Sequence, residues 1–240
     1  GRPGRAVVIG AVNADITVAV GRLPAREETL VAAAPSTSVA TGGKGANQAI
    51  ALARLGAPGA EVEFFGVFAG PRDPHSAMLK AALSRAGVRI DRSFQSGLES
   101  GKGFVMLEAD GGAATSVVVP GANGDWGRAS RDDFLRVLRG AALLLLQREV
   151  PEKVNALALD AAAELGVPVI LDAGGEDRPV AGTLAAALWF CPNEGELQRL
   201  TGLTTATEAA VVAAARRLQE AGARNVLVTL GERGAVAVTE

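Results

Sequence analysis

Cysteine and histidine are nearly missing from this chain of 240 residues, which has one of each, Cys191 and His75. A lone cysteine cannot close a disulfide within the chain, and one cysteine with one histidine cannot make a Cys/His zinc site. The sequence therefore indicates a reducing compartment.

An excess of positive charge is missing too, since 24 Lys and Arg stand against 26 Asp and Glu, for a net charge of -2. Without a positive field the chain has no general hold on a phosphate backbone, so nucleic acid is not an expected partner.

Long apolar runs are also lacking. Runs such as residues 141–146 and 184–190 are far shorter than the ~20 residues that a membrane-spanning helix needs. The sequence therefore predicts a soluble protein with no membrane partner. The basic start, residues 1–5, lacks the apolar run of a signal peptide and is assigned no function.

What the sequence does contain is the composition of a compact globular protein, with 48% hydrophobic residues, 21% charged residues and 30 glycines. A chain of this length lies near the upper limit that one hydrophobic core can serve. We therefore expect residues 1–240 to form a single domain.

Short apolar runs alternate with longer amphipathic stretches along most of the chain. This alternation predicts βαβ units and an α/β fold with a mostly parallel sheet. Each helix-like stretch is followed by a glycine, which can adopt the left-handed conformation that ends a helix. The predicted strands are residues 6–9, 62–68, 142–146, 167–172, 188–191 and 226–229, and the predicted helices are residues 46–55, 76–86, 151–165 and 207–221.

Two stretches, residues 16–41 and 92–119, break this rhythm. In the second, residues 104–108 and 115–119 flank the turn-forming Asp110, Gly111 and Gly112, a pattern that predicts a β-hairpin. Strands set apart from the main sheet can form a small lid over its carboxyl edge, where ligands bind in α/β folds. We therefore expect both stretches to belong to such a lid.

The clearest motif is GGKGANQA at residues 42–49, directly before a helix-like stretch. Adjacent glycines let a backbone approach a ligand closely, and the N–H groups of a helix start favour an oxygen-rich or anionic partner. Lys44 and Asn47 are three residues apart and can share one face of the first turn. The alternative is a tight turn into a core helix. That alternative explains the paired glycines but not the Lys, Asn and Gln that accompany them.

Further polar groups stand near the ends of predicted strands. Asn13 and Asp15 lie at the end of the first one, where alternation turns both side chains to one face. Glu149 follows the apolar residues 143–146, which places its carboxylate at the same edge of the sheet. An amide and carboxylates together can bind adjacent hydroxyls of a sugar. The alternatives are a local turn for the first pair and a surface charge for Glu149.

Two later motifs, PNEGE at residues 192–196 and TLGERG at residues 229–234, also follow predicted strands. Asn193 and Glu196 can share one helical face and act on hydrated Mg²⁺, which prefers carboxylate and water ligands around phosphates. Thr229 and the nearby glycines offer a hydroxyl and bare N–H groups to a phosphate. A helix cap and a hairpin turn are the respective alternatives.

In content and order, these five motifs resemble the ribokinase family over nearly the whole chain. The resemblance implies a three-layer α/β sandwich with a β-lid that often pairs two subunits. It also implies transfer of the γ-phosphoryl group of ATP to the 5-hydroxyl of D-ribose. Ribose is favoured because fructokinase-like and adenosine-kinase-like members usually carry other residues in place of Lys44 and Asn47.

The resemblance also assigns roles to individual residues. The run from Asp172 to Asp177 resembles plant members of the family, which indicates a cytoplasmic or plastid location. Mg²⁺ would be held at Glu196, and K⁺ would be a further cofactor. The sugar would be bound by Asn13, Asp15, Gly43, Lys44, Asn47 and Glu149, and ATP by Asn193, Thr229, Gly231 and Gly234.

One family motif has no counterpart. Such kinases carry, after TLGxxG, a DTxGAGD-type segment whose last Asp is the catalytic base, and no such run occurs before Glu240. General-base help is worth ~10² to 10⁴ in rate, so we expect a C-terminally truncated chain that is inactive on its own. The base and most of the K⁺ site would lie beyond Glu240. The alternatives are another sugar or nucleoside kinase of the family, or a non-catalytic sugar-binding protein.

Overall fold

The structure of the chain is a computed structural model that describes residues 4–32, 37–56, 59–108, 114–175 and 184–240. Its helices are α1 (Lys44–Leu55), α2 (Ser76–Arg85), α3 (Arg131–Leu138), α4 (Glu152–Leu165), α5 (Glu194–Thr201) and α6 (Glu208–Glu220). Its strands are β1 (Arg5–Ile9), β2 (Asn13–Val20), β3 (Thr37–Gly42), β4 (Val62–Phe65), β5 (Val67–Ala69), β6 (Val88–Arg89), β7 (Phe94–Ser96), β8 (Gly101–Glu108), β9 (Ala114–Val119), β10 (Ala141–Arg148), β11 (Val169–Gly175), β12 (Trp189–Cys191), β13 (Asn225–Thr229) and β14 (Ala235–Val238).

An eight-stranded sheet forms the centre of the molecule, in the order β14-β13-β12-β11-β10-β1-β4-β6. Its strand pairs are parallel except for β13 with β14. All the parallel strands therefore end at one edge, which is where α/β folds bind ligands. The predicted α/β class with a mostly parallel sheet is confirmed.

Helices cover both faces of this sheet. Along β1, Val7 and Ile9 belong to one buried cluster and Val8 to another, because successive side chains of a strand point to opposite faces. Leu79 of α2 lies in the cluster with Val8. Phe134 of α3 lies in the other, together with buried residues of α4, α5 and α6. The result is the three-layer arrangement that the family resemblance implies.

A separate four-stranded sheet, β3-β2-β8-β9, uses strands from both stretches that break the βαβ rhythm. We call it the lid sheet. Within it, β2 and β8 are parallel and the other pairs are antiparallel. The pairing of β8 with β9 is the predicted hairpin, although Asp110, Gly111 and Gly112 at its turn lie outside the described residues.

Two predicted positions are wrong. Asn13 and Asp15 do not end the first strand, because β1 ends at Ile9 and both residues lie at the start of β2 in the lid sheet. The predicted strand 62–68 is broken at Gly66, after which β5 turns aside to pair with β7. A Cβ at Gly66 would come within 2.5 Å of the Phe64 ring, so the bend requires a residue without a side chain.

Candidate active site

The predicted sugar-binding and nucleotide-binding residues lie at or just beyond the carboxyl ends of the central strands and at the base of the lid sheet. Glu149 follows β10, Asn193 follows β12, and Thr229 ends β13. The loop from β1 enters β2 at Asn13, and β3 delivers the chain to α1. Chain connections alone therefore bring residues from all five motifs to one edge.

The GGKG turn is fixed by polar contacts to two neighbouring strands. Gly43 has a φ of 84°, a left-handed conformation that favours glycine. The backbone N–H of Lys44 donates to Glu149 Oε2 at 2.7 Å. Its Nζ lies 2.9 Å from Asp172 Oδ1 in β11. The start of α1 is thus held against carboxylates from β10 and β11, as the N-terminal end of a helix dipole favours.

Asp15 occupies a space that glycines on the flanking strands leave open. A Cβ added to Gly42 or to Gly103 would come within 1.8 Å or 2.4 Å, respectively, of an Asp15 carboxylate oxygen. Burial raises the pKa of Asp15, because removing a carboxylate from water disfavours its charged form. A half-buried carboxylate in such a recess is suited to accept hydrogen bonds from ligand hydroxyls.

Asn13 is buried beside a second asparagine, Asn123, that sequence reasoning missed. Asn123 lies in the short 3₁₀ turn Gly121–Gly124 that follows β9. Its Nδ2 donates to Asn13 Oδ1 at 2.7 Å. Its Oδ1 and Nδ2 also bond the N–H and C=O of Val12, at 2.9 and 3.1 Å. The first residue of the lid sheet is therefore tied to the turn that follows the last strand of that sheet.

A cavity of about 640 Å³ opens between the lid sheet and the start of α4. Ser116 and Val118 line it from β9, and Glu149 and Asn123 line it from below. Val118 pairs with Gly103, which in turn pairs with Asp15, so these residues share the lid face that looks toward the cavity. Asn47, also assigned to the sugar, is exposed on the first turn of α1.

The charges at this edge influence one another. Burial raises the pKa of Glu149, and the nearby carboxylates of Asp172 and Asp15 act in the same direction, against the Lys44 contacts. For Lys44, burial acts to lower the pKa, but the carboxylates of Asp172, Glu196 and Glu149 together leave its pKa raised. The lysine is therefore cationic at neutral pH and faces a group of acidic side chains.

The nucleotide-side residues meet at the ends of β12 and β13, where Asn193 and Thr229 form a parallel bridge. Asn193 Oδ1 accepts from the Glu196 N–H, and Glu196 Oε2 accepts from the Asn193 N–H, both at 2.8 Å. Asn193 and Glu196 thus form the helix cap that was the alternative interpretation of the PNEGE motif. The cap uses one oxygen of each side chain, so Asn193 Nδ2 can still donate to a ligand and the second Glu196 oxygen can still accept. Gly231 and Gly234 follow with φ values of 56° and 86°.

Sequence reasoning overlooked Asp172 as a site residue. Asp172 is the last residue of the predicted strand 167–172, a position that places its carboxylate at the same edge of the sheet as that of Glu149. Asp172 lies within β11, and its Oδ1 accepts from the Gly174 N–H as well as from Lys44. The position of an acidic residue at the carboxyl edge was the available signal. Asp177, in the same sequence run, lies outside the described residues.

Comparison with known proteins identifies the family. A profile described as pfkB family carbohydrate kinase matches residues 4–240. The chain belongs to the pfkB family. Among curated relatives of this pfkB chain, ribokinase from Arabidopsis thaliana is 38% identical over 233 residues, which is 95% of this chain and 59% of the relative. Ribokinase from Haemophilus influenzae is 30% identical, over 95% of this chain and 72% of the relative.

The pfkB fold is equally clear among solved structures. The structure of Arabidopsis thaliana ribokinase complexed with ribose and ATP superposes with a TM-score of 0.86 at 36% identity, covering 99% of this chain and 75% of that one. The chain spans a smaller share, 59%, of the curated Arabidopsis thaliana relative. Within the described ranges, no helix is long and apolar enough to cross a bilayer.

Proposed function

We propose that this pfkB chain is the larger, sugar-binding part of a D-ribose kinase, which transfers the γ-phosphoryl group of ATP to the 5-hydroxyl of ribose. The observation that carries the proposal is a cavity beneath the lid sheet that Glu149 and Asn123 line. Asn13 is bonded to Asn123, and the Asp15 carboxylate lies close enough to Glu149 to act on its pKa. Carboxylates and an amide arranged in this way match the adjacent hydroxyls of a pentose. The similarity to a ribokinase whose structure holds ribose and ATP supports the same substrates.

ATP would bind beside the sugar, over the ends of β12 and β13. Asn193 Nδ2, the Thr229 hydroxyl and the Gly231 N–H supply donors for phosphate oxygens. The Gly234 N–H donates to Gly231 C=O and so shapes the turn. The Lys44 ammonium adds positive charge between this region and the sugar cavity. Charge stabilisation of this kind is the main task of a protein in phosphoryl transfer.

The metal part of the proposal rests on Glu196. Among the described residues, no group of three or more His, Cys, Asp or Glu side chains is placed to hold a metal ion directly. Mg²⁺ usually keeps several waters and binds through one or two carboxylates plus substrate phosphates. A single available oxygen on Glu196 fits that mode. K⁺ and a reducing compartment, cytoplasm or plastid, belong to the same proposal.

We expect this chain to bind ribose without phosphorylating it. The reason is that its 240 residues contain no DTxGAGD-type run, the segment that carries the catalytic base in the family. The test is calorimetric titration with D-ribose, 2-deoxy-D-ribose, D-fructose and adenosine, followed by a phosphorylation assay with ATP, Mg²⁺ and K⁺ on the same sample. Preference for fructose or adenosine, or no ribose binding, would contradict the substrate. Turnover would show that a residue within these 240 acts as the base.

The outer face of the lid sheet supports a homodimer as part of the proposal. Val39, Ile16, Phe104 and Val117 lie directly opposite one another across its four strands, on the face away from Asp15. Val117 is 65% exposed and Phe104 is 42% exposed. An apolar row of this kind is typical of a surface that another subunit covers. A second copy can pair through the same row, since isologous dimers are the commonest assemblies.

The expected result is that Phe104→Glu converts a dimer into a monomer, because it places a charge within the paired apolar rows. Sedimentation velocity measures the change. The control is Leu55→Glu, which alters an equally apolar residue that is 83% exposed at the end of α1. A monomeric unsubstituted chain, or a dimer that survives Phe104→Glu, would contradict pairing through the lid.

A further inference from the structure

Asn123 is an unusual residue to find at this position, since asparagine is seldom fully buried. Its side chain is 2% exposed, at the rim of the cavity that Glu149 also lines. Its amide makes three hydrogen bonds, two to the backbone of Val12 and one to the side chain of Asn13. The burial is therefore compensated entirely by bonds to the segment that leads from β1 into the lid sheet.

The backbone of Val12 decides which way the Asn123 amide is turned. A backbone N–H can only donate and a backbone C=O can only accept. The Val12 N–H lies 2.9 Å from one end of the amide, which must be the oxygen. The Val12 C=O lies 3.1 Å from the other end, which must be the nitrogen. Rotating the amide by half a turn would set donor against donor and acceptor against acceptor.

This orientation is passed on to Asn13. The second N–H of Asn123 points at the Asn13 amide and donates across 2.7 Å. Asn13 must meet it with its oxygen, because an NH₂ group there would oppose another donor. The two amides fill the space that a side chain at residue 101 would need, since a Cβ at Gly101 would lie 2.1 Å from Asn123 Nδ2 and 2.4 Å from Asn13 Oδ1. The oxygen of Asn13 is therefore turned toward Asn123, and its NH₂ group lies on the other side of the amide for other partners.

We propose that Asn123 is a positioning residue that locks Asn13 so that it offers its N–H donor, and not its oxygen, to a sugar hydroxyl. The inference deepens the proposed sugar site and rests on it. Asp15 on the same strand face supplies the complementary acceptor. A hydroxyl between them would accept from Asn13 and donate to Asp15, so both of its hydrogen-bonding roles are specified. A ligand oxygen that cannot donate would lose the second contact.

The test is a double-mutant cycle read by calorimetric ribose binding. Asn123→Ala is expected to weaken ribose binding roughly 5- to 10-fold, the effect of about one hydrogen bond. In an Asn13→Ala background the same change should cost less than about 2-fold, because there is no amide left to orient. Equal losses in both backgrounds would show a merely structural role and overturn the proposal.

The matched control is Asn225→Ala, which removes another asparagine that bonds a backbone carbonyl, Leu188 C=O, at the opposite end of the sheet. It should leave ribose affinity unchanged in both backgrounds. Failure of the unsubstituted chain to bind ribose would overturn the proposed function and this inference with it. Ribose binding with uncoupled substitutions would overturn the inference alone.

A measurement on the unsubstituted chain decides the matter if Asn123→Ala does not fold. With asparagine labelled by ¹⁵N, the side-chain NH₂ of Asn123 should exchange its hydrogens slowly with and without ribose, since both are bonded within the protein. Ribose should shift the NH₂ signals of Asn13. Fast exchange at Asn123, or no response at Asn13 to bound ribose, would contradict the proposed orientation.

Discussion

Asp15→Asn is expected to lower ribose affinity by about 100-fold while leaving the fold as stable as before. Hydrogen bonds to a charged acceptor contribute up to about 3 kcal/mol each, and an amide of the same shape supplies only a neutral acceptor. Stability should not fall, because burial disfavours the charged form of Asp15 and the substitution removes that cost. Calorimetry and thermal unfolding on the same samples measure the two effects.

The pH dependence of ribose binding gives an independent check on Asp15. Burial raises the pKa of Asp15, so its carboxylate is protonated at a higher pH than an ordinary aspartate. A protonated carboxyl is a weaker acceptor for a ribose hydroxyl than the carboxylate is, so ribose affinity should fall as the pH drops through that raised pKa. Asp15→Asn should be insensitive to pH over the same acidic range. An unchanged affinity in this variant would remove Asp15 from the site.

Lys44→Met is expected to have the second largest effect, lowering both ribose affinity and stability. The backbone contact from residue 44 to Glu149 does not depend on the side chain, so the turn should keep its shape. The Asp172 carboxylate, however, loses its partner at 2.9 Å. Because both side chains are about one-third exposed, the loss of stability should be about 1–2 kcal/mol rather than the 3–5 kcal/mol of a buried pair.

The double variant Lys44→Met with Asp172→Asn separates the two effects. Removing both charges should restore most of the stability, since no carboxylate is left without its partner. Ribose affinity should stay at least about 10-fold below that of the unsubstituted chain if the lysine acts on the ligand. Recovery of affinity together with stability would mean that Lys44 serves only to hold α1 against β11.

Much of the fold could be predicted because its signals are local. Gly166 caps α4 with a φ of 65°, as its position after an amphipathic stretch indicated. Ser130 and Asp133, three residues apart, form a capping box at the start of α3, with the Ser130 N–H donating to Asp133 Oδ2 at 2.9 Å. Each of these features depends on a few neighbouring residues, so the sequence contains the whole of the evidence.

The errors arose where the chain leaves one sheet for another. The assignment of Asn13 and Asp15 to the first strand failed because residues 10–12 connect two different sheets, and a single glycine, Gly10, does not show that the chain changes sheet there. Asn123 was overlooked because its partners, Val12 and Asn13, are 111 and 110 residues away along the chain. Only the folded chain brings them together. The Lys44 contact with Asp172 spans 128 positions and escaped notice for the same reason.

A crystal structure of the 240-residue chain grown with D-ribose tests the proposed sugar site most directly. We expect the sugar beneath the lid sheet, with hydroxyls within hydrogen-bonding distance of the Asp15 carboxylate and of Asn13 Nδ2, and Glu149 at the edge of the same cavity. Ribose bound elsewhere, or turned so that Asn13 accepts rather than donates, would contradict it.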